Sequence, residues 1–154
     1  MDITHGTTAG AQALISAHHA RSRIRIAAGV VAIVTATIDL LLWLGITIGS
    51  TRRHDLAEQG ADAALWILFL GGATTLAGGI VLLCLSRRRG GPVPGAIAAS
   101  VLATMVGAVI AHGLGIFSFQ TPGGTLLAVL SVATLAMAAL VTTLERRPSP
   151  ENAA

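Results

Sequence analysis

Asp39 stands alone in an apolar run. From Ile26 to Gly49 the chain reads IAAGVVAIVTATIDLLLWLGITIG, and Asp39 is the single charged residue in it. An ionisable group at membrane depth costs about 2.5–3.5 kcal/mol on insertion scales, so it normally has a partner and often a task. Thr35, Asp39 and Trp43 follow one another at four-residue steps, which puts them on one helical face with Ala32 and Ala36 alongside. That polar and small face should turn into a bundle. The other ionisable side chain well inside an apolar run is His112, which lies about 6 Å further outward than Asp39 along the membrane normal. If their helices are neighbours, Asp39 and His112 can hydrogen-bond directly or through water. Such a pair could carry protons or bind a cation. The simpler use of the acid is as glue, with Asp39 bonded to Thr35, Ser100, Thr104 or His112. A third is contact with a helix of another protein.

Other chemistries are missing from the pattern. There is no HExxH, no CxxC and no carboxylate–histidine cluster, so no metal is expected. Haem ligation needs a second axial histidine inside the membrane, and His54 falls in a loop, so no cofactor is expected either. No G-x-S-x-G occurs. The pairs Gly71-Gly72, Gly78-Gly79 and Gly123-Gly124 match neither a P-loop nor a dinucleotide fingerprint and read as packing devices. The chain is not expected to be an enzyme. Cys84 is the only cysteine, cannot form an intrachain disulfide, and reads as a small hydrophobe.

The positions of the charges explain the formal net charge of +3. All the basic residues are arginines, and they flank the apolar runs without interleaved aromatics. They therefore mark topology and headgroup contact, and nucleic acid is not expected as a partner.

The elements that position Asp39 follow from length and hydropathy. With 53% hydrophobic and 11% charged residues, 154 residues supply too little polar surface for a soluble domain. A bilayer core of about 30 Å needs about 20 apolar residues in a helix. Four segments qualify, at 24–49, 63–86, 94–117 and 123–144. The expected fold is all-α: an integral membrane four-helix bundle over residues 24–147. Residues 1–23 form a cytoplasmic segment, either an interfacial helix or an extension of the first span, and 148–154 form a short cytoplasmic tail. The first apolar run is full span length, so it reads as an uncleaved span and not as a signal peptide. The charge-free stretch between Arg89 and Glu145 is too long for one helix and breaks at Ser118–Gly124, where Thr121 and Pro122 suit an N-cap and a first helical position.

Four crossings put Arg21, Arg23, Arg25, Arg87, Arg88, Arg89, Arg146 and Arg147 on one side. Only Arg52 and Arg53 are on the other, beside Asp55, Glu58 and Asp62. The positive-inside rule then places both termini in the cytoplasm of a bacterial plasma membrane, with Arg87, Arg88, Arg89, Arg146 and Arg147 at the lipid headgroups. Trp66, Phe117 and Phe119 fall near the outer interface and Trp43 and Phe69 somewhat deeper. They form an ordinary aromatic belt or line an outer vestibule.

Small residues mark the packing faces. Ala99, Ala103, Gly107, Ala111 and Gly115 recur at four-residue steps in the third span, as do Gly71, Thr75 and Gly79 in the second; the fourth carries Ala128, Ser131 and Thr134. The third span is expected to be the central packing helix or the face of a homo-oligomer.

No soluble domain is apparent, so the function expected is that of a small non-enzymatic membrane module. It would act through its spans in interaction, assembly, or regulation of an immunity type, with the bilayer and a homo-oligomer or larger complex as partners. The few spans and charged ends resemble holins, which implies a phage or prophage link and membrane permeabilisation. The four short spans with an acid in the first, Asp39, also resemble small multidrug exporters. That resemblance implies a dimeric proton-coupled transporter or channel, although this chain has Asp in place of Glu and no Tyr.

Overall fold

A computed structural model describes residues 5–50, 61–85 and 91–146. They form four helices: α1 (His5–Ser50), α2 (Ala61–Cys84), α3 (Val93–Gly113) and α4 (Pro122–Arg146). The described residues are all-α, and each helix holds a stretch long and apolar enough to cross a membrane: Ser22–Gly49, Asp62–Cys84, Val93–Gly113 and Pro122–Glu145. Helix α1 runs unbroken for 46 residues, so residues 5–23 continue the helix of the first span. Arg87, Arg88, Arg89, Arg147 and the tail 148–154 lie outside the described residues.

Local chemistry sets the hairpin between α3 and α4. Helix α3 ends at Gly113, short of the expected Phe117, because Gly115 adopts a left-handed φ of 70°. The Ile116 N–H then donates to the Ala111 carbonyl and the Gly115 N–H to the His112 carbonyl, both at 3.0 Å, which caps the helix in a Schellman arrangement. Pro122 opens α4. The Gly124 N–H donates to Thr121 Oγ1 at 3.2 Å, so the Thr-Pro pair caps this helix as its sequence predicts.

The helices pack in a ring: α1 on α2, α2 on α3, α3 on α4, and α4 back on α1. Helices α1 and α3 are therefore diagonal. Two apolar clusters fill the interior. One holds Ala28, Ala32, Leu82, Ile97, Val101 and Val141. The other holds Ala64, Leu68, Ala108, Ala111, Phe117 and Leu127. At the far end of the first cluster Arg25 is buried. Its Nε lies 3.3 Å from Glu145 Oε1 and its Nη1 donates to the Leu85 carbonyl at 3.4 Å, so one side chain joins α1, α2 and α4.

The small row of α3 does not stay on one face. Gly107 and Ala111 are buried, whereas Ala99, Ala103 and Gly115 are exposed. Four residues turn an α-helix by about 40° more than a full turn, so such a row drifts roughly 160° between Ala99 and Gly115. The buried face is instead Pro94, Ile97, Val101, Thr104, Gly107, Ala108 and Ala111. On α2 the shorter row Gly71, Thr75 and Gly79 is buried throughout.

Candidate functional site

Between the two apolar clusters lies a polar layer to which every helix contributes. Thr35 and Asp39 come from α1, Thr75 from α2, Thr104 from α3, and Ser131 and Thr134 from α4, all of them buried. Asp39 is only 2% exposed. It points to the centre of the bundle and not to the outside, because Ala32 and Ala36 on the same face pack inward at 0% and 1% exposure.

One half of the layer is hydrogen-bonded. The Thr35 and Thr134 hydroxyls stand 2.7 Å apart. Each also lies 2.8 Å from the carbonyl four residues back, Val31 and Leu130 respectively. With one proton each, one hydroxyl can donate across the α1–α4 interface while the other donates to its own helix.

The other half is only thinly bonded. Thr104 is placed to hydrogen-bond the Asp39 carboxyl, but its hydroxyl also lies 3.1 Å from the Ser100 carbonyl, so one proton serves two acceptors. The Thr75 and Ser131 hydroxyls have no partner. Buried polar groups in folded proteins are nearly always paired, so two unpaired hydroxyls beside a carboxyl with one shared donor need a reason. Thr35, Ala36, Asp39, Thr75, Val101, Thr104 and Ser131 line one space, which does not admit a water molecule.

Glycines bring α2 against this half. A Cβ on Gly72 would stand 2.6 Å from Asp39 Oδ2, and one on Gly71 would run into Thr104 Oγ1. The Gly71-Gly72 pair thus lets the α2 backbone form one wall of the acid's surroundings.

His112 does not join Asp39. It is exposed near the end of α3, where Nδ1 lies 3.0 Å from the Phe117 carbonyl and the ring packs on Phe119 at 5.4 Å. Thr104 is the α3 residue that reaches Asp39; His112 lies eight residues, about 12 Å, further along α3 and on its exposed face. The aromatics pack on one another. Trp43 and Phe69 lie 4.8 Å apart, Trp66 and Phe69 5.9 Å, and Phe117 and Phe119 5.0 Å. Phe117 is buried in the apolar cluster at that end, with Trp43 and Phe119 packed against it, whereas Trp66 is exposed.

The chain matches no protein-family model, no curated protein and no solved structure. The layer's own chemistry is left to speak for it. Among the described residues no group of three or more His, Cys, Asp or Glu side chains is arranged to hold a metal ion. The layer offers oxygen atoms alone: one carboxyl and several hydroxyls. Sequence reasoning had weighed Thr104 as a bonding partner for Asp39 and had placed Thr75 and Ser131 in packing stripes. The available signal was depth, since counting turns from the span ends puts Thr75, Thr104 and Ser131 within about one turn of Asp39.

Proposed function

We propose that the chain is a small, non-enzymatic, multi-pass protein of a bacterial plasma membrane, with both termini in the cytoplasm, and that it works as an ion-coupled transport module through Asp39. The observation that carries this reading is the inward, buried carboxyl with Thr104 as its one shared donor. A residue that glues helices together receives hydrogen bonds from several of them, and Asp39 has only the Thr104 hydroxyl, which Ser100 also claims. A residue that docks on a partner's helix faces outward, and Asp39 does not. The apolar exterior, with Leu41, Trp66, Leu102, Val106 and Val132 all exposed, supports a lipid surround. The arginine distribution supports the cytoplasmic termini. Apolar closure at both ends of the polar layer weighs against a holin-like open pore.

The test is flux. Reconstituted in liposomes with an internal pH-sensitive dye, the protein should dissipate an imposed pH gradient at least about tenfold faster than its Asp39→Asn variant. Asp39→Asn should still insert and run as a single species in detergent. Equal flux from the two would sink the ion-coupled reading. It would favour the structural role, under which Asn is tolerated and Asp39→Leu disrupts the bundle.

A second reading, an interaction or assembly module, has one observation in its favour. Gly95, Ala99 and Ala103 face outward on α3 and leave a smooth strip where another helix can approach closely. Stable co-purification with another membrane protein in mild detergent, lost on Ala99→Leu, together with no flux from the chain alone, would put this reading first.

A further inference from the structure

We infer that Asp39, Thr75, Thr104 and Ser131 form an occluded site for one small, dehydrated monovalent cation of the sodium type. The inference rests on the ion-coupled reading and names the ion. Its first support is the pattern of hydroxyl bonding. A Ser or Thr inside a helix ordinarily turns its hydroxyl back to a carbonyl three or four residues earlier. Thr35, Thr37, Thr47, Thr74, Ser100, Thr104, Thr134, Thr142 and Thr143 all do so here. Thr75 and Ser131 are buried and do not. Both line the same small space as the Asp39 carboxyl. The two departures from the ordinary pattern, from α2 and α4, therefore converge on the acid of α1.

A shared occupant explains them better than a proton alone. A proton on Asp39 gives the carboxyl one donor, but Thr75 and Ser131 make no hydrogen bond with either carboxyl oxygen. An ion between them can be reached by all of these oxygens without their touching one another. Thr104 lines the same space, and with an ion bound its proton can go to the Ser100 carbonyl, leaving its lone pairs for the ion.

The chemistry of the donors selects the ion. Carboxyl and hydroxyl oxygens are hard ligands, and neither nitrogen nor sulfur is present, so soft transition metals are not favoured. A single carboxylate balances one positive charge. Calcium takes six to eight oxygens, usually from several carboxylates, and magnesium keeps most of its water. The space between these side chains does not admit a water molecule, so an ion held there is bare and small. Among the described residues, Arg25 and Glu145 pair at the far end of one apolar cluster and His112 bonds to Phe117 beside the other, away from the site.

The experiment is an ion titration of the full-length protein in mild detergent, with the thermal unfolding midpoint as readout. Sodium and lithium chloride should raise the midpoint saturably, and choline chloride at equal ionic strength should not. Asp39→Asn should abolish the response. Thr75→Val and Ser131→Ala should each weaken apparent sodium affinity by about tenfold. An equal rise in choline, or an intact sodium response in Asp39→Asn, overturns the site. Should Asp39→Asn fail to fold, Ser131→Ala carries the test, and unchanged sodium affinity in it overturns the site as well. Flux measured in sodium-free buffer separates the two levels. Asp39-dependent dissipation of a pH gradient without any sodium stabilisation overturns the cation site and leaves ion coupling standing. Loss of both removes both.

Discussion

Glu145→Ala is expected to destabilise the bundle by about 3 kcal/mol, the lower end of the range for breaking a buried ion pair by removing one member. The lower end applies because the pair is not fully enclosed: the Arg25 and Glu145 side chains are 10% and 24% exposed. What makes the loss large is the position of Arg25. Its guanidinium sits where α1, α2 and α4 converge and also reaches the Leu85 carbonyl, so it cannot swing into solvent without giving up a second contact. The double variant Arg25→Leu/Glu145→Leu should recover to within about 1 kcal/mol of the parent, because apolar residues of similar volume replace buried ion pairs with little loss. Denaturant unfolding of the parent, the single variants and the double variant closes a double-mutant cycle. A Glu145→Ala loss below about 0.5 kcal/mol would show that the pair contributes no more than a surface ion pair. Recovery of that variant in anionic lipid would show a headgroup phosphate taking the place of Glu145.

The contrast between Arg25 and Asp39 shows what the sequence made legible. Both are charges at the edge of, or within, an apolar run. Asp39 was conspicuous because hydropathy isolates it, and the span count followed from length, since about 20 apolar residues are a geometric requirement. The turn into α4 was legible because Thr121 and Pro122 each have a local mechanism. Arg25 read as a topology marker because an arginine before a span usually is one. Its partner, Glu145, is remote in sequence, and only packing of α1 on α4 brings them together. Gly115 read as one more small residue, since a left-handed φ leaves no trace in composition. Asp39 and His112 do not pair because of depth and face. The α3 residue beside Asp39 is Thr104, and His112 lies about two turns beyond it on the exposed face. The polar layer was the hardest to read, because a serine or threonine bonded to its own helix and one turned into the core have the same spacing.

Gly79→Leu is expected to separate α1 from α2 and to leave the protein unable to form the bundle, with loss of the folded species on a size column in detergent. A Cβ at Gly79 would meet Ile33 Cγ1 at 2.8 Å, the Gly29 carbonyl oxygen at 3.1 Å and the Ile33 nitrogen at 3.2 Å. The contact is reciprocal: a Cβ at Gly29 would stand 3.1 Å from the Gly79 carbonyl oxygen and 2.9 Å from Leu83 Cγ. Ile33 and Leu83 can shift their side chains, but the two backbones cannot yield without moving the helices. Gly79→Ala should therefore cost about 1–3 kcal/mol, and Leu more, since every added methylene must displace main chain. Inside a bilayer no hydrophobic drive exists to restore the contact, because lipid solvates the freed surfaces as well as protein does. Gly45 is the matched control. It lies on the same helix as Gly29 with nothing within 4 Å of its would-be Cβ, so Gly45→Ala should be neutral or stabilising by up to about 1 kcal/mol. The damage reaches the candidate site because Gly79, Thr75 and Gly71 form one buried row on α2, with Gly72 against Asp39. Moving α2 outward by even a fraction of an ångström withdraws Thr75 and the glycine wall together. Gly79→Ala should accordingly weaken sodium stabilisation while Gly45→Ala leaves it intact. Parental stability and sodium response in Gly79→Ala would mean that α1 and α2 do not cross at these glycines.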